Sequence, residues 1–101
     1  MQYNLEPLRE LVAIRSTADS PEALERALGF CVDQFRDMPM VTRWYSSSGK
    51  PSVVIARDEA LHYDVLFVGH VDVVPGDDAD FLMREEQGRY IGRGVCDMKG
   101  P

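Results

Sequence analysis

Four consecutive apolar residues, Val65-Leu66-Phe67-Val68, constrain this chain more than any other stretch. A strand wet on one face alternates apolar and polar side chains. An unbroken apolar run this short fits a strand buried on both faces, as in a parallel or mixed sheet. Such a strand needs neighbours along its edges and helices above and below. The run also ends in chemistry: Gly69-His70-Val71-Asp72 follows directly. Sites in open α/β sheets gather at the carboxyl ends of strands.

The flanking sequence predicts α/β architecture, two helices followed by strands. Asn4 is placed to cap a first helix over roughly residues 5–15, with Pro7 in its first turn and Leu5, Leu8, Leu11 and Val12 on one face. After the polar break 16–20, Ser20-Pro21-Glu22 starts a second helix. Leu24, Leu28, Cys31 and Phe35 form its apolar stripe, and it should end near Arg36 or Asp37. Residues 40–45 and 53–56 read as strands around a turn at 46–51. Asp77 to Asp80 read as a solvated acidic loop. Residues 81–86 and 89–91 read as a hairpin around Gln87-Gly88.

These elements do not close into a domain. Two N-terminal helices cannot cover both faces of a buried strand, and Lys99-Gly100-Pro101 ends in a turn that ordinarily feeds another element. The expectation is therefore an incomplete domain, with residues 1–101 as its N-terminal portion and Met1 as the natural start. A net charge of −6 argues against a nucleic-acid surface, which needs a basic stripe. No run approaches the roughly 20 apolar residues of a membrane span. No basic leader precedes an apolar stretch, and two cysteines make no disulfide framework, so a cytoplasmic location is expected.

His70 and Asp72 stand two apart. In extended chain they point to the same side, with the carboxylate in reach of the imidazole. A carboxylate that fixes one ring nitrogen leaves the other for a metal. Taken alone, H-x-D is more often a hydrogen-bonded histidine at a strand end followed by a turn. Asp97 sits among Gly92, Gly94 and Gly100, where it either ligates a metal or stabilises the turn. Cys96 should face away from Asp97 as a small buried residue. His62 and Glu85-Glu86 read as surface groups. Arg93 and Lys99 offer positive charge either to an oxyanion or simply to solvent.

Together, GHVDVVPG (69–76) and GRGVCDMKG (92–100) are far more specific than either alone. The pair resembles the N-terminal catalytic region of the M20 metallopeptidase family, which includes acetylornithine deacetylase, succinyl-diaminopimelate desuccinylase, aminoacylase and glutamate carboxypeptidase-like enzymes. The resemblance implies a mixed-sheet zinc hydrolase that cleaves amide bonds of N-acyl amino acids or small peptides with metal-activated water. It implies that His70 binds one metal, that Asp97 bridges two, and that Asp72 is the catalytic residue orienting His70. It also implies two Zn2+ per complete site, with Co2+ or Mn2+ as substitutes, and a further domain used for dimerisation in the full-length protein. The family's Glu-Glu pair, later acidic ligand and late histidine follow the aspartate motif and are not among residues 1–101. Glu85-Glu86 precede it and cannot stand in. The 101 residues alone are therefore expected to be inactive. The competing reading is a non-enzymatic binding or assembly module that kept the fold.

Overall fold

The computed structural model describes residues 3–101; Met1, taken as the natural start, lies outside them. The architecture is mixed α/β. In chain order come helix α1 (Glu6–Ala13), helix α2 (Pro21–Asp33), strands β1 (Val41–Ser47) and β2 (Lys50–Ala56), a 3-10 turn (Asp78–Phe81), and strands β3 (Arg84–Glu86) and β4 (Arg89–Ile91).

Both helices begin where the sequence signals put them, and both end early. The Asn4 side chain accepts the Glu6 N–H at 3.1 Å, one residue ahead of the formal cap, Leu5. Ser20 caps α2 in position only: its side chain makes no cap hydrogen bond, and Pro21 occupies the first turn. The α2 stripe is shifted from the expected one. Ala23, Leu24 and Ala27 are buried, whereas Phe35 lies beyond the helix and is exposed. Helix α2 packs against β2, with Leu24 and Leu28 beside Pro51 and Val53. There Pro51, Val53 and Ile55 are half-buried while Ser52 and Val54 are exposed, the period of two that a one-sided strand requires.

The strands form two separate antiparallel hairpins. In the first, Val41 pairs with Ala56 and Ser47 with Lys50. The ladder is longer than expected because Ser48 and Gly49, both at positive φ, close it in two residues. The second pairs Arg84 with Ile91 and turns at Gln87-Gly88, as the sequence indicated. The acidic stretch before it is more ordered than a solvated loop. The Asp77 side chain and the Asp80 side chain each accept the other's backbone N–H, a capping box that folds the 3-10 turn. Phe81 and Met83 are buried behind it.

The buried strand expected over 65–68 is not formed. Val65, Leu66, Phe67 and Val68 are 68, 72, 94 and 79% exposed and belong to no ladder. A strand persists where neighbours satisfy its N–H and C=O groups, and neither hairpin lends an edge to this run. No helix among the described residues covers either face. The chain is held again from Val71, whose carbonyl accepts a side-chain hydrogen bond, to Val73, which is buried and forms a parallel bridge with Thr17.

Replacing Phe67 with Ser should therefore change the stability of the 101-residue chain by no more than about 0.5 kcal/mol, as at an ordinary surface position. Chemical denaturation checks this. A loss of about 3–5 kcal/mol, typical of a truncated core aromatic, would mean that the run is covered.

Candidate functional site

The stretch between α1 and α2 organises the site. Ser16 is completely buried, and its hydroxyl donates to the Val71 carbonyl at 2.6 Å. The Val73 N–H donates to the Ser16 carbonyl at 3.0 Å. These bonds fix residues 71–73 and with them His70 and Asp72. In sequence, 16–20 reads only as a polar break, which does not single out Ser16; a serine immediately after an apolar helix face is the one available signal.

Asp97 arrives on a second loop. Arg93 N–H donates to the Asp80 carbonyl at 2.7 Å, and Lys99 N–H to the Gly94 carbonyl at 2.7 Å, closing residues 94–99 into a tight turn. Gly94 has φ +91, and a β-carbon there would lie 2.8 Å from Val73 Cγ1, so both the backbone angle and the packing demand glycine. The Asp97–Met98 peptide is cis.

The two loops meet in an open cleft of about 680 Å³, walled in part by Asp19, His70, Asp72, Arg93, Cys96 and Asp97. His70 Nε2 lies 3.0 Å from Asp97 Oδ1. His70 Nδ1 lies 3.1 Å from the Asp72 carbonyl oxygen and 3.1 Å from Asp72 Oδ1. Asp72 thus approaches the ring through its backbone as well as its carboxylate, which the two-residue spacing alone did not indicate. Both ring nitrogens face acceptors only. The Asp97 hydrogen bond first, and the Asp72 contacts after it, raise the His70 pKa above 6.5. Each ring nitrogen thus faces a carboxylate, and the neutral ring, with one N–H, can donate to only one of them.

This donor set fits a metal ion in part. Zinc bonds of about 2.0–2.1 Å in a tetrahedron place neighbouring donor atoms about 3.3 Å apart, close to the Nε2–Oδ1 separation. Two donors do not complete a shell, however, and no cluster of three or more His, Cys, Asp or Glu suited to a metal occurs among the described residues.

The other candidates resolve differently. Cys96 is exposed on the cleft wall, not buried as expected, because the turn at 94–99 breaks the alternation of extended chain. Cys31 is half-buried, and removal from water raises its thiol pKa. Arg93 is half-buried on the cleft wall: its guanidinium pairs with Asp80 at 3.2 Å, while its buried Nε has no hydrogen-bond partner among the described residues. Lys99 is buried, with its ammonium turned toward α1 and away from the cleft. His62 and Glu85-Glu86 are exposed, as read from the sequence.

The cleft joins an H-x-D segment to a glycine-bounded aspartate, and the comparisons fall on the stretch that carries both. Residues 66–101 match the model of Peptidase family M20/M25/M40. Across a 44-residue alignment that covers 37% of this chain, the sequence is 50% identical to succinyl-diaminopimelate desuccinylase of Rickettsia canadensis (strain McKiel). Over the same length it is 46% identical to the protein of that name from Rickettsia bellii (strain OSU 85-389). The match to the M20 family model thus covers residues 66–101, the stretch that holds both motifs. The matched stretch spans only 12% and 11% of those relatives' lengths.

The raised His70 pKa has a definite sign. Protonated His70 stabilises the fold fully below pH 6.5, and that contribution is lost as pH rises through the folded-state pKa. An NMR titration of the metal-free chain should give a His70 midpoint above 6.5, and Asp97→Asn should bring it back toward that value. An unchanged midpoint in Asp97→Asn would show that Asp97 is not the ring's main partner.

Proposed function

We propose that the chain is the N-terminal portion of an M20 catalytic domain whose complete form hydrolyses amide bonds in N-acyl amino acids or small peptides. The supporting observation is the 3.0 Å approach of His70 Nε2 to Asp97 Oδ1, with Nδ1 engaged by Asp72. Likeness to succinyl-diaminopimelate desuccinylases favours an acyl amino acid of the succinyl-diaminopimelate type as substrate. The incomplete donor set, the exposed 65–68 run and the small share of the relatives' length all favour a longer functional protein.

In this reading His70 presents Nε2 and Asp97 presents its carboxylate to Zn2+, with Asp97 able to reach two ions through its two oxygens. Bound zinc would supply Lewis acidity toward the amide carbonyl and lower the pKa of a water. Asp72 holds the proton on Nδ1 and sets the ring plane, so that only Nε2 is offered as a ligand. Val73, Val74 and Pro75 give the cleft an apolar wall beside these groups. With no further ligand cluster among its described residues, the 101-residue chain is inactive on its own in this reading. Dimerisation would belong to the longer protein. No helix among the described residues is long and apolar enough to cross a membrane, and the free cysteines suit a cytoplasmic enzyme.

Asp72→Asn in the longer protein should lower metal affinity or activity by about 10–100-fold, the usual effect of removing a ligand's orienting partner. Zinc calorimetry and hydrolysis of succinyl-diaminopimelate read this directly. A metal-loaded longer protein that cleaves no acyl amino acid or dipeptide would instead favour the non-enzymatic binding module.

A further inference from the structure

We propose that Lys99 is a positioning residue: its ammonium, bonded to the backbone where α1 ends, holds the 94–99 turn so that Asp97 meets His70. The proposal rests on the reading of His70 and Asp97 as shared ligands. Lys99 is only 7% exposed, and a lysine is rarely buried to this extent without a dedicated partner. No carboxylate pairs with it among the described residues. Its Nζ donates instead to the Leu11 carbonyl at 2.9 Å and the Ile14 carbonyl at 2.8 Å.

Those acceptors explain the burial. The last carbonyls of a helix carry the negative end of its dipole; those of Leu11 and Ile14 each accept one backbone N–H, from Ile14 and Ser16, and take the ammonium with the remaining lone pair. The last turn of α1 contains no basic residue. Lys99 supplies that charge from 85 positions away.

The geometry transmits this anchoring to the site. Lys99 is two residues from Asp97, and its backbone N–H closes the turn on Gly94. Its aliphatic stem lies against Gly94, where a β-carbon would meet Lys99 Cδ at 3.1 Å and Val73 Cγ1 at 2.8 Å. The neighbouring residue Ser16 holds the other loop through Val71 and Val73. One short frame, residues 11–17, therefore sets the register of both His70 and Asp97. A lysine that merely filled space would not need both carbonyls, nor a position beside the ligand-bearing turn.

The test begins on the unmodified, metal-free chain. The Lys99 ammonium protons should exchange with solvent at least tenfold more slowly than those of exposed Lys50, the other lysine; equal rates overturn the proposal. In Lys99→Met, the nuclear Overhauser contact between the His70 ring and the Asp97 β-protons should disappear while helical circular dichroism remains. Zn2+ affinity should fall at least tenfold, and Lys99→Arg, which keeps charge and donors, should recover part of both signals. A folded Lys99→Met that keeps the contact and the affinity overturns the proposal. If Lys99→Met does not fold, Lys99→Gln is read by the same two signals, and the ammonium exchange rate of the unmodified chain still decides. Asp97→Asn separates the two claims: unchanged Zn2+ affinity in that variant removes the shared-ligand reading, while the Overhauser contact, which needs no metal, continues to judge Lys99.

Discussion

The end of helix α1 is the point on which the rest of the site depends. Helix α1 ends with no basic residue in its last turn, and the Leu11 and Ile14 carbonyls, each already accepting one backbone N–H, also accept the Lys99 ammonium. The next turn of chain, at Ser16, offers a hydroxyl and a carbonyl to residues 71 and 73. Val12, completely buried, fills the space below Gly92, where a β-carbon would lie 3.1 Å from its Cγ1. Helix, H-x-D segment and aspartate turn are thus fastened at one place, although they lie far apart in sequence. Surface ion pairs such as Arg43–Glu59 are solvated and contribute little by comparison.

His70 shows how the fastening becomes chemistry. Held between Asp72 on one nitrogen and Asp97 on the other, the ring has no donor to accept from. In the metal-free chain a proton answers that demand; a divalent cation at Nε2 would answer it as well. In the proposed site, proton and metal would compete for one position, and binding would weaken as pH falls through the raised His70 pKa.

Much of this is legible in the chain itself. Capping and proline signals locate both helix starts, and Gln87-Gly88 locates the second hairpin. The two motifs identify the family segment and name the three residues that the structure brings together. What escapes the sequence is mostly tertiary. Lys99 reads in sequence as a charge offered either to an oxyanion or to solvent, because nothing local reveals that α1 lacks a basic last turn close by. Cys96 is misplaced when the alternation of extended chain is applied to a closed turn. Asp77 to Asp80 look merely solvated, yet reciprocal capping orders them, and Asp80 then engages Arg93. The run at 65–68 has the composition of a strand that needs burial on both faces, and its exposure in the structure marks the same requirement left unmet.

The central claim is that His70 offers Nε2, and only Nε2, to a metal shared with Asp97. Long-range proton–nitrogen NMR of the imidazoles during a Zn2+ titration tests it most directly, since His62 is the other histidine and provides the reference. Zinc should shift the His70 Nε2 resonance to a metal-bound value while Nδ1 stays protonated, and Asp97→Asn should weaken the response. Coordination through Nδ1, or a titration that moves His62 and leaves His70 unchanged, would contradict it.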